Sequence, residues 1–281
     1  MYENEIVLAG SGHGGYVALK SLQAKFDSVV LLSEDLDLIN ELREEDKITD
    51  SLVQMVDSTI VCASYMKLIP HSILEKNTVI NTHPSLLPKY RGIHSLAWAM
   101  INREEVVGFT IHLVNEYIDD GDILSQFSVS VGKKNSKEIM DIFDNYVMDN
   151  LGSVVKEYLR GNITPIKQDE SEASWCCRRN LNDCLIDYNA TYDELEALFR
   201  VLVPPYPYPI LKTQVGTYYV INAVLIMDKT VMHSGRVVNI KGSKVYIKTK
   251  GAILVVDKLK NLDTGEYIQA KEVFRLGERI A

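Results

Sequence analysis

The sequence predicts an α/β protein: a mostly parallel sheet with helices on both faces, followed by a small C-terminal β-barrel. Two patterns in the 281 residues predict this architecture. In the first half, short apolar runs of the kind buried in parallel sheets alternate with helical segments. From residue 204 onward, short strands are separated by turn residues at regular intervals, which is typical of a small barrel. The predicted domains are an α/β domain at residues 1–189, a linking helix at 190–203 and a barrel domain at 204–281.

Each element is predicted from the spacing of its apolar residues and from the residues that end it. A long amphipathic stretch at 136–159 is followed by Gly161 and Pro165, as helices usually are. Four prolines between Pro204 and Pro209 exclude helix and central strand, so the second domain starts at this loop. Strands are predicted at 6–9, 29–32, 59–63, 78–81, 109–114, 123–131, 218–226, 235–239, 244–248 and 252–256, with a helix at 192–203.

Composition narrows the class of protein. Hydrophobic residues make up 46% of the chain and charged residues 24%, which is ordinary for a globular protein. No apolar run reaches the roughly 18 residues of a membrane span, and no secretory signal is visible. We therefore expect a cytoplasmic protein with no membrane partner. Four cysteines without a Cys-x-x-Cys pair indicate reduced thiols, with neither a disulfide framework nor a metal site.

Charge is distributed unevenly along the chain. The net charge is −8, yet residues 204–281 carry twelve Lys and Arg against six Asp and Glu. The basic second domain is compatible with an anionic ligand, with nucleic acid, or with solvated strand faces.

A glycine-rich turn follows the first strand. The sequence Gly-Ser-Gly-His-Gly-Gly at residues 10–15 satisfies Gly-x-Gly-x-x-Gly, and Glu34 and Asp35 follow about twenty residues later. This pattern is compatible with an NAD(P)-dependent oxidoreductase, with another ligand held by free N–H groups at the helix N-terminus, or with a tight turn that needs glycine. The residues predicted to contact substrate here are Gly12, His13 and Gly14.

A more specific motif occupies residues 81–92. Asn81 and His83 lie two apart at the end of a predicted strand, so their side chains can point to the same side. They leave the sheet at its carboxyl edge, where open α/β folds bind their ligands. The sequence Pro-Ser-Leu-Leu-Pro follows directly at residues 84–88.

This stretch, with the Asp-Asp-Gly-Asp sequence at 119–122, resembles the family of 10-formyltetrahydrofolate-dependent formyltransferases. Asp119 lies thirty-six residues after His83, the separation that the resemblance leads us to expect. Further similarity at 63–70, 108–112, 178–188 and 199–207 extends over most of the chain. The resemblance implies a Rossmann-like catalytic domain, a small OB-like barrel and 10-formyltetrahydrofolate as formyl donor, without a metal.

The chemistry of formyl transfer accounts for these residue types. An amide such as Asn81 can stabilise the tetrahedral oxyanion. A neutral imidazole such as His83 can accept the amine proton near pH 7. A carboxylate such as Asp119 can orient the imidazole or hold a proton-carrying water. Asp120 and Asp122 are the alternatives for this carboxylate.

The resemblance also implies where the cofactor and the acceptor bind. The pterin of the cofactor is expected against residues 66–68 and the 116–119 loop, held largely by backbone groups. The cofactor-binding residues are therefore Met66, Lys67, Leu68, Glu116 and Asp119. For the acceptor, Arg91 and the aromatic rings of the proline loop are candidates, since an exposed ring can stack on a nucleotide base; packing between domains is the alternative for those rings. The acceptor-binding residues beyond the glycine turn are therefore Arg91, Tyr206 and Tyr208.

The acceptor amine distinguishes branches of this family. The Arg-Gly-Ile-His-Ser-Leu-Ala-Trp-Ala stretch at 91–99 resembles that of sugar N-formyltransferases, with Ser95 where they have proline. Residues 33–46 are short and acidic where transfer-RNA enzymes of the family carry a basic insertion, and a phosphate backbone would be repelled there. We therefore expect a nucleotide-diphosphate-linked deoxyamino sugar as partner, no nucleic acid, and a homodimer. A methionyl-tRNA formyltransferase is the alternative.

Overall fold

The computed structural model describes residues 5–228 and 230–280. The chain divides into two compact units. The first comprises the described residues of 1–99, 105–131 and 138–178, and the second those of 100–104, 132–137 and 179–281. The principal division, between residues 178 and 179, therefore lies ahead of the predicted boundary at 189, and the linking helix belongs to the second unit.

The strands, in chain order, are β1 (Glu5–Gly10), β2 (Ser28–Leu32), β3 (Lys47–Thr49), β4 (Thr59–Ala63), β5 (Thr78–His83), β6 (Arg91–Gly92), β7 (Val106–Leu113), β8 (Ile123–Ser130), β9 (Trp175–Cys176), β10 (Ile210–Thr213), β11 (Gly216–Met227), β12 (Val237–Lys241), β13 (Lys244–Lys248), β14 (Ala252–Asn261) and β15 (Tyr267–Gln269). The α-helices are α1 (Gly12–Gln23), α2 (Leu36–Ile39), α3 (His71–Leu74), α4 (Ser95–Ile101), α5 (Ser136–Leu159), α6 (Tyr192–Val201) and α7 (Ala270–Val273).

The first unit contains a seven-stranded sheet in the order β3-β2-β1-β4-β5-β7-β8. The first five strands of this order are parallel, and β7 runs antiparallel to both β5 and β8. The chain moves outward from β1 in both directions, so the strand order reverses between β1 and β4. Open α/β sheets bind ligands at the carboxyl ends of strands near such a reversal.

Burial of the central strands explains why their sequences are continuously apolar. Val7, Ile60 and Val79 come from three adjacent strands and pack in one buried cluster. Parallel strands covered on both faces have no solvent side, so the sequence does not alternate. This packing holds the carboxyl ends of β4 and β5 in place.

The second unit contains six antiparallel strands, in the order β10-β11-β14-β13-β12 with β15 paired to β14. Val220, Ile247 and Leu254 are fully or almost fully buried in its core. α6 begins with a capping box in which Thr191 and Glu194 bond to each other's backbone N–H groups. This architecture agrees with the predicted small barrel domain.

Most predicted elements are confirmed. The strands at 59–63 and 244–248 and the helix at 136–159 have the predicted bounds. The structure adds the short edge strand β3 and the two-residue parallel pair β6–β9, neither of which was predicted. Among the described residues, no helix is both long enough and apolar enough to span a membrane.

Candidate active site

Asn81 and His83 both contact Asp119. They occupy alternate positions at the end of β5, which places their side chains on one face of the sheet. Asn81 Nδ2 lies 3.3 Å from Asp119 Oδ1, and His83 Nδ1 lies 3.5 Å from Asp119 Oδ2. The structure therefore brings the three predicted catalytic side chains together at the carboxyl edge of the sheet.

The Asp119 carboxylate is held from both sides. The Gly92 N–H donates to Oδ2 at 2.8 Å, and Asn81 Nδ2 donates to Oδ1 at 3.3 Å, with His112 Nε2 3.6 Å from Oδ1. Burial alone would raise the pKa of Asp119, but the positive charges that His112 and His83 carry when protonated, together with the Gly92 N–H, outweigh burial and lower the pKa to about 2. Asp119 is therefore ionised at neutral pH.

The neighbouring carboxylate has other partners. Asp120 Oδ1 lies 2.8 Å from Arg91 Nη2, and its other oxygen accepts a hydrogen bond from Asn115. Of the two alternatives to Asp119, Asp120 is therefore committed to a structural ion pair.

His83 is a buried imidazole whose tautomer follows from its partners. Nε2 lies 2.9 Å from the Tyr90 carbonyl oxygen, which can only accept, so Nε2 carries the hydrogen. Burial lowers the pKa of His83, and Asp119 and the Tyr90 carbonyl oppose this only in part. The ring is therefore neutral near pH 7, with an unprotonated Nδ1 beside Asp119.

His112 is a site residue that was not predicted. It faces Asn81 directly in the antiparallel β5–β7 pairing. Its Nδ1–H donates to the Leu113 carbonyl at 2.7 Å, so Nε2 accepts from Asn81 Nδ2 at 3.2 Å. The alternation of apolar and polar residues along β7 indicates a strand that contains His112. Only the strand pairing shows that His112 faces Asn81.

A cavity of about 210 Å³ opens beside these side chains. Its walls combine apolar side chains with the amide and carboxylate groups of the 115–119 loop. Among the predicted cofactor-binding residues, Lys67, Leu68, Glu116 and Asp119 line it, whereas Met66 is exposed outside this lining. The remaining lining residues are Cys62, Tyr65, Ile69, Asn81, His112, Val114, Asn115, Tyr117 and Ile118.

An acidic segment borders this cavity. Glu34 Oε1 lies 3.6 Å from Nζ of Lys67, which lines the cavity. Arg43 is the only Lys or Arg in residues 33–46. Its guanidinium is occupied by Asp46 at 2.9 Å and by the carbonyl oxygens of residues 23, 26 and 27. Asp35, Glu41 and Asp46 are also bonded within the chain, so the carboxylate that the segment presents beside the cavity is that of Glu34.

The glycine turn is partnered within the chain. The Gly12 N–H donates to Asp35 Oδ2 at 2.7 Å, so the chain's own carboxylate occupies the start of α1. His13 Nε2 lies 2.8 Å from Asp144 Oδ2 and remains largely exposed. A Cβ at Gly14 would overlap the Ser64 hydroxyl oxygen, so a side chain there would require Ser64 to move.

Arg91 was expected to contact the acceptor, but its side chain is buried. Its side chain is only 3% exposed. The guanidinium is surrounded by Gln168, Glu170 and Asp120. This enclosure corrects the expectation, because the guanidinium has no free face to offer an acceptor.

Tyr206 and Tyr208 belong to the second unit. The Tyr206 ring is half-buried, with the Arg179 guanidinium 5.9 Å from its centroid. Tyr208 is half-buried in the segment before β10.

Asn81 and Asp119 line the cavity, and His83 lies buried beside Asp119. An amide donor, a neutral imidazole and an ionised carboxylate at the carboxyl edge of an α/β sheet are the groups that an acyl-transfer enzyme needs. Two family models match the chain: "Formyl transferase" over residues 5–142, and "Formyl transferase, C-terminal domain" over residues 180–275. The chain belongs to the formyl transferase family.

Relatives differ in their stated substrates. Methionyl-tRNA formyltransferase from Clostridium novyi (strain NT) is 29% identical over 255 residues, which cover 87% of this chain and 82% of that protein. Among solved structures, WlaRD, a sugar 3N-formyl transferase solved with dTDP and 5-N-formyl-THF, has a TM-score of 0.71 at 17% identity and covers 94% of this chain and 100% of its own.

HypX from Aquifex aeolicus has a TM-score of 0.66 at 15% identity and covers 96% of this chain. This chain spans about half of the HypX length, 48%. The similarity to these two solved structures shows a shared fold.

The alternative of an NAD(P)-dependent oxidoreductase is wrong. The family matches assign formyl transfer to the chain. Asp35 also occupies the Gly12 N–H, one of the helix N-terminal donors that this alternative needed for a phosphate.

Proposed function

We propose that this enzyme moves the formyl group of 10-formyltetrahydrofolate to the amine of a nucleotide-diphosphate-linked deoxyamino sugar. The observation that carries this choice of acceptor is the acidic segment beside the cavity. Glu34 lies against Lys67, and the only basic residue of the segment, Arg43, is committed to Asp46. A small dianionic acceptor can avoid this border, whereas a long phosphate backbone laid across it would be repelled.

The methionyl-tRNA reaction is the second candidate. The 29% identity to the Clostridium novyi enzyme over most of both chains favours it. The excess of Lys and Arg in residues 204–281 is compatible with a transfer-RNA backbone.

We assign the cofactor to the cavity of the first unit. Its apolar walls at Leu68 and Ile118, together with backbone groups of the 115–119 loop, suit a flat ring with amide-like edges. We assign cofactor contacts to Met66, Lys67, Leu68, Glu116 and Asp119. In the first unit we assign acceptor contacts to His13 and to the backbone of Gly14; the contact expected at Gly12 is not proposed, because its N–H is already bonded to Asp35. In the second unit, Tyr206 and Tyr208 are separately proposed to stack on a nucleotide base.

The reaction needs one proton acceptor and one oxyanion donor. The acceptor amine attacks the formyl carbon, the carbonyl π electrons move to oxygen, and collapse of the tetrahedral species breaks the bond to N10. His83 Nδ1 has a free lone pair, so it takes the proton that the amine loses. The resulting imidazolium is stabilised by the Asp119 carboxylate 3.5 Å away. The proton then passes to N10 as that nitrogen leaves.

Asn81 must exchange a partner during this reaction. Its two Nδ2 hydrogens are directed at His112 Nε2, 3.2 Å away, and at Asp119 Oδ1, 3.3 Å away. Asn81 and Asp119 both line the cavity, and we assign the hydrogen now directed at Asp119 to the developing oxyanion. The His112 contact then keeps the amide oriented while the charge forms.

A panel of acceptors tests the proposal. The enzyme is incubated with 10-formyltetrahydrofolate and, separately, with dTDP- and UDP-linked amino sugars and with initiator methionyl-tRNA. Mass spectrometry of each acceptor is expected to show the gain of one formyl group on a nucleotide-linked sugar. Formylation of methionyl-tRNA and of no sugar would establish the second candidate instead. Mixtures without enzyme are the control for uncatalysed transfer.

We also propose that the enzyme is a homodimer in solution. Light scattering during gel filtration tests this: a mass near twice the 31.7 kDa of the chain is expected, and the monomer mass would contradict it.

A further inference from the structure

Gln168 connects the Asp119 loop to the interior of the first unit. Gln168 is only 6% exposed. Nε2 donates to the carbonyl oxygens of Asp119 at 2.8 Å and Gly121 at 2.7 Å. The segment that carries Gln168 is itself anchored, because Ile166 exchanges two backbone hydrogen bonds with Ile123 at the start of β8.

The orientation of the Gln168 amide is determined by Arg91. Oε1 of Gln168 lies 3.2 Å from Arg91 Nε and 2.9 Å from Arg91 Nη2. A guanidinium only donates hydrogen bonds, so Oε1 must face Arg91 and Nε2 must face the loop carbonyls. Asp120 also contacts Nη2, and Glu170 contacts both Nη1 and Nη2, so the guanidinium is held in position.

The loop has a conformation that needs such support. Asp119 has a φ of +51°, in the left-handed region that side-chain-bearing residues rarely adopt. Residues in such regions persist only when their surroundings hold them there. Gln168 bonds the peptide carbonyls on both sides of Asp120, so it holds the loop that begins at Asp119.

We propose that Gln168 is a positioning residue that keeps the Asp119 carboxylate against His83. The inference rests on the proposed catalytic role of Asp119. The amide acts as a rigid link: Arg91 fixes one end, and the other end fixes the loop backbone. Arg91 thus serves the site through Gln168 and Asp120 instead of through the acceptor.

This role predicts a change in the pH dependence of kcat. The negative charge of Asp119 raises the pKa of His83 and partly offsets the lowering by burial, with His112 acting in the same direction as burial. If the loop is released, Asp119 moves away and the pKa of His83 falls further. The acid limb of kcat, where His83 becomes protonated, then moves to lower pH. A loss of folded protein alone would not move that limb.

The test uses Gln168→Leu and Gln168→Glu in the full-length enzyme. Leucine removes all four hydrogen bonds, while glutamate retains the contact with Arg91 but offers no donor to the loop carbonyls. Gln23→Leu is the matched control, because Gln23 Nε2 also donates twice, to Glu41 O and Asp46 Oδ2, far from Asp119 in sequence and outside the cavity lining. Rates are measured with 10-formyltetrahydrofolate and whichever acceptor of the panel is formylated.

Both Gln168 variants are expected to lower kcat about 10- to 100-fold, with KM values within a few-fold of wild type. Their acid limbs should lie about 0.5 pH unit or more below that of wild type. Gln23→Leu should retain kcat and the acid limb. Wild-type kcat in Gln168→Leu, or a reduced kcat with an unmoved acid limb, would overturn the inference. Full activity in Asp119→Asn would instead overturn the proposed role of Asp119, and with it the reason for positioning that residue.

Discussion

Asn81 and His112 are direct partners across the β5–β7 pairing, with Asn81 Nδ2 3.2 Å from His112 Nε2. His112 is 1% exposed and is fixed in turn by its bond to the Leu113 carbonyl. A predicted catalytic amide is therefore oriented by an imidazole on the neighbouring strand. His112 stands edge-on to His83, at an interplanar angle of 86°.

His112→Leu is expected to lower kcat by at least about tenfold, because the Asn81 amide loses the acceptor that orients it. His112→Gln, which can still accept from Asn81, should recover part of the rate. Steady-state kinetics measure both effects. The control is His71→Gln, which changes an exposed histidine paired with Glu75 and should leave kcat unchanged.

The catalytic side chains should behave as one unit. His83→Asn and Asn81→Ala are each expected to cut kcat by at least ~10²-fold with little change in acceptor KM, since they act on charge that develops in the transition state. Asp119→Asn should be similarly severe. The double variant His83→Asn with Asp119→Asn should lose much less than the product of the single losses. Strict additivity would show that Asp119 works independently of His83.

Burial of His83 should be visible as pH-dependent stability. Its pKa is lowered in the folded state from about 6.5 in the unfolded chain. Between the lowered value and 6.5 the unfolded state binds more protons, so the free energy of unfolding decreases as pH falls through this window. Urea unfolding at pH 7 and pH 5 should show a smaller decrease for His83→Gln than for wild type. Equal decreases would mean that His83 keeps its ordinary pKa in the fold.

Gly92 should tolerate no side chain. It has a φ of +108°, and a Cβ there would overlap the Cys176 carbonyl oxygen. Gly132→Ala is the control, because Gly132 has a φ of +50° but open space around a Cβ, so it measures the conformational cost alone, about 1–2 kcal/mol. Thermal unfolding should show a larger loss for Gly92→Ala. Its kcat should fall as well, since the Gly92 N–H holds Asp119.

Backbone recognition of the cofactor predicts a mild effect at Leu68. Its side chain is 84% exposed, so Leu68→Ala leaves the fold intact. The affinity for 5-formyltetrahydrofolate, measured by calorimetry, should fall less than about tenfold, as for the loss of part of one apolar contact. Val53→Ala, exposed and outside the cavity lining, is the control. Complete loss of binding in folded Leu68→Ala protein would show recognition by the side chain instead.

The sequence predicted those parts of the fold that depend on local patterns. The continuous apolar run at 59–63 predicts a strand, because a strand buried on both faces needs apolar residues throughout. The amphipathic run at 136–159 predicts a helix, because a helix buried on one side needs a single apolar stripe. Strand β3 was missed because its three residues are short and mostly exposed. The antiparallel direction of β7 was also not predicted, since strand direction depends on the chain path and not on the strand's own residues.

The same distinction between local patterns and distant contacts applies to the residues of the candidate site. Asn81 and His83 were placed correctly on one face because two-residue spacing is a property of a strand. His112 and Gln168 were missed because their partners are 31 and 49 residues away in sequence. The enclosure of Arg91 by three side chains likewise depends on segments from different parts of the chain.

The Asp35 carboxylate at the Gly12 N–H has a consequence for how the enzyme meets its ligands. The free N–H groups at a helix start can be bonded by a phosphate of a ligand or by a side chain of the same chain. Here the negative charge is the Asp35 carboxylate, so the Gly12 N–H is bonded before any nucleotide binds. A nucleotide that reaches the start of α1 therefore meets a turn whose first N–H is already bonded to a carboxylate of the chain. A Gly-x-Gly-x-x-Gly pattern followed by an acidic residue can thus describe a turn that stabilises itself.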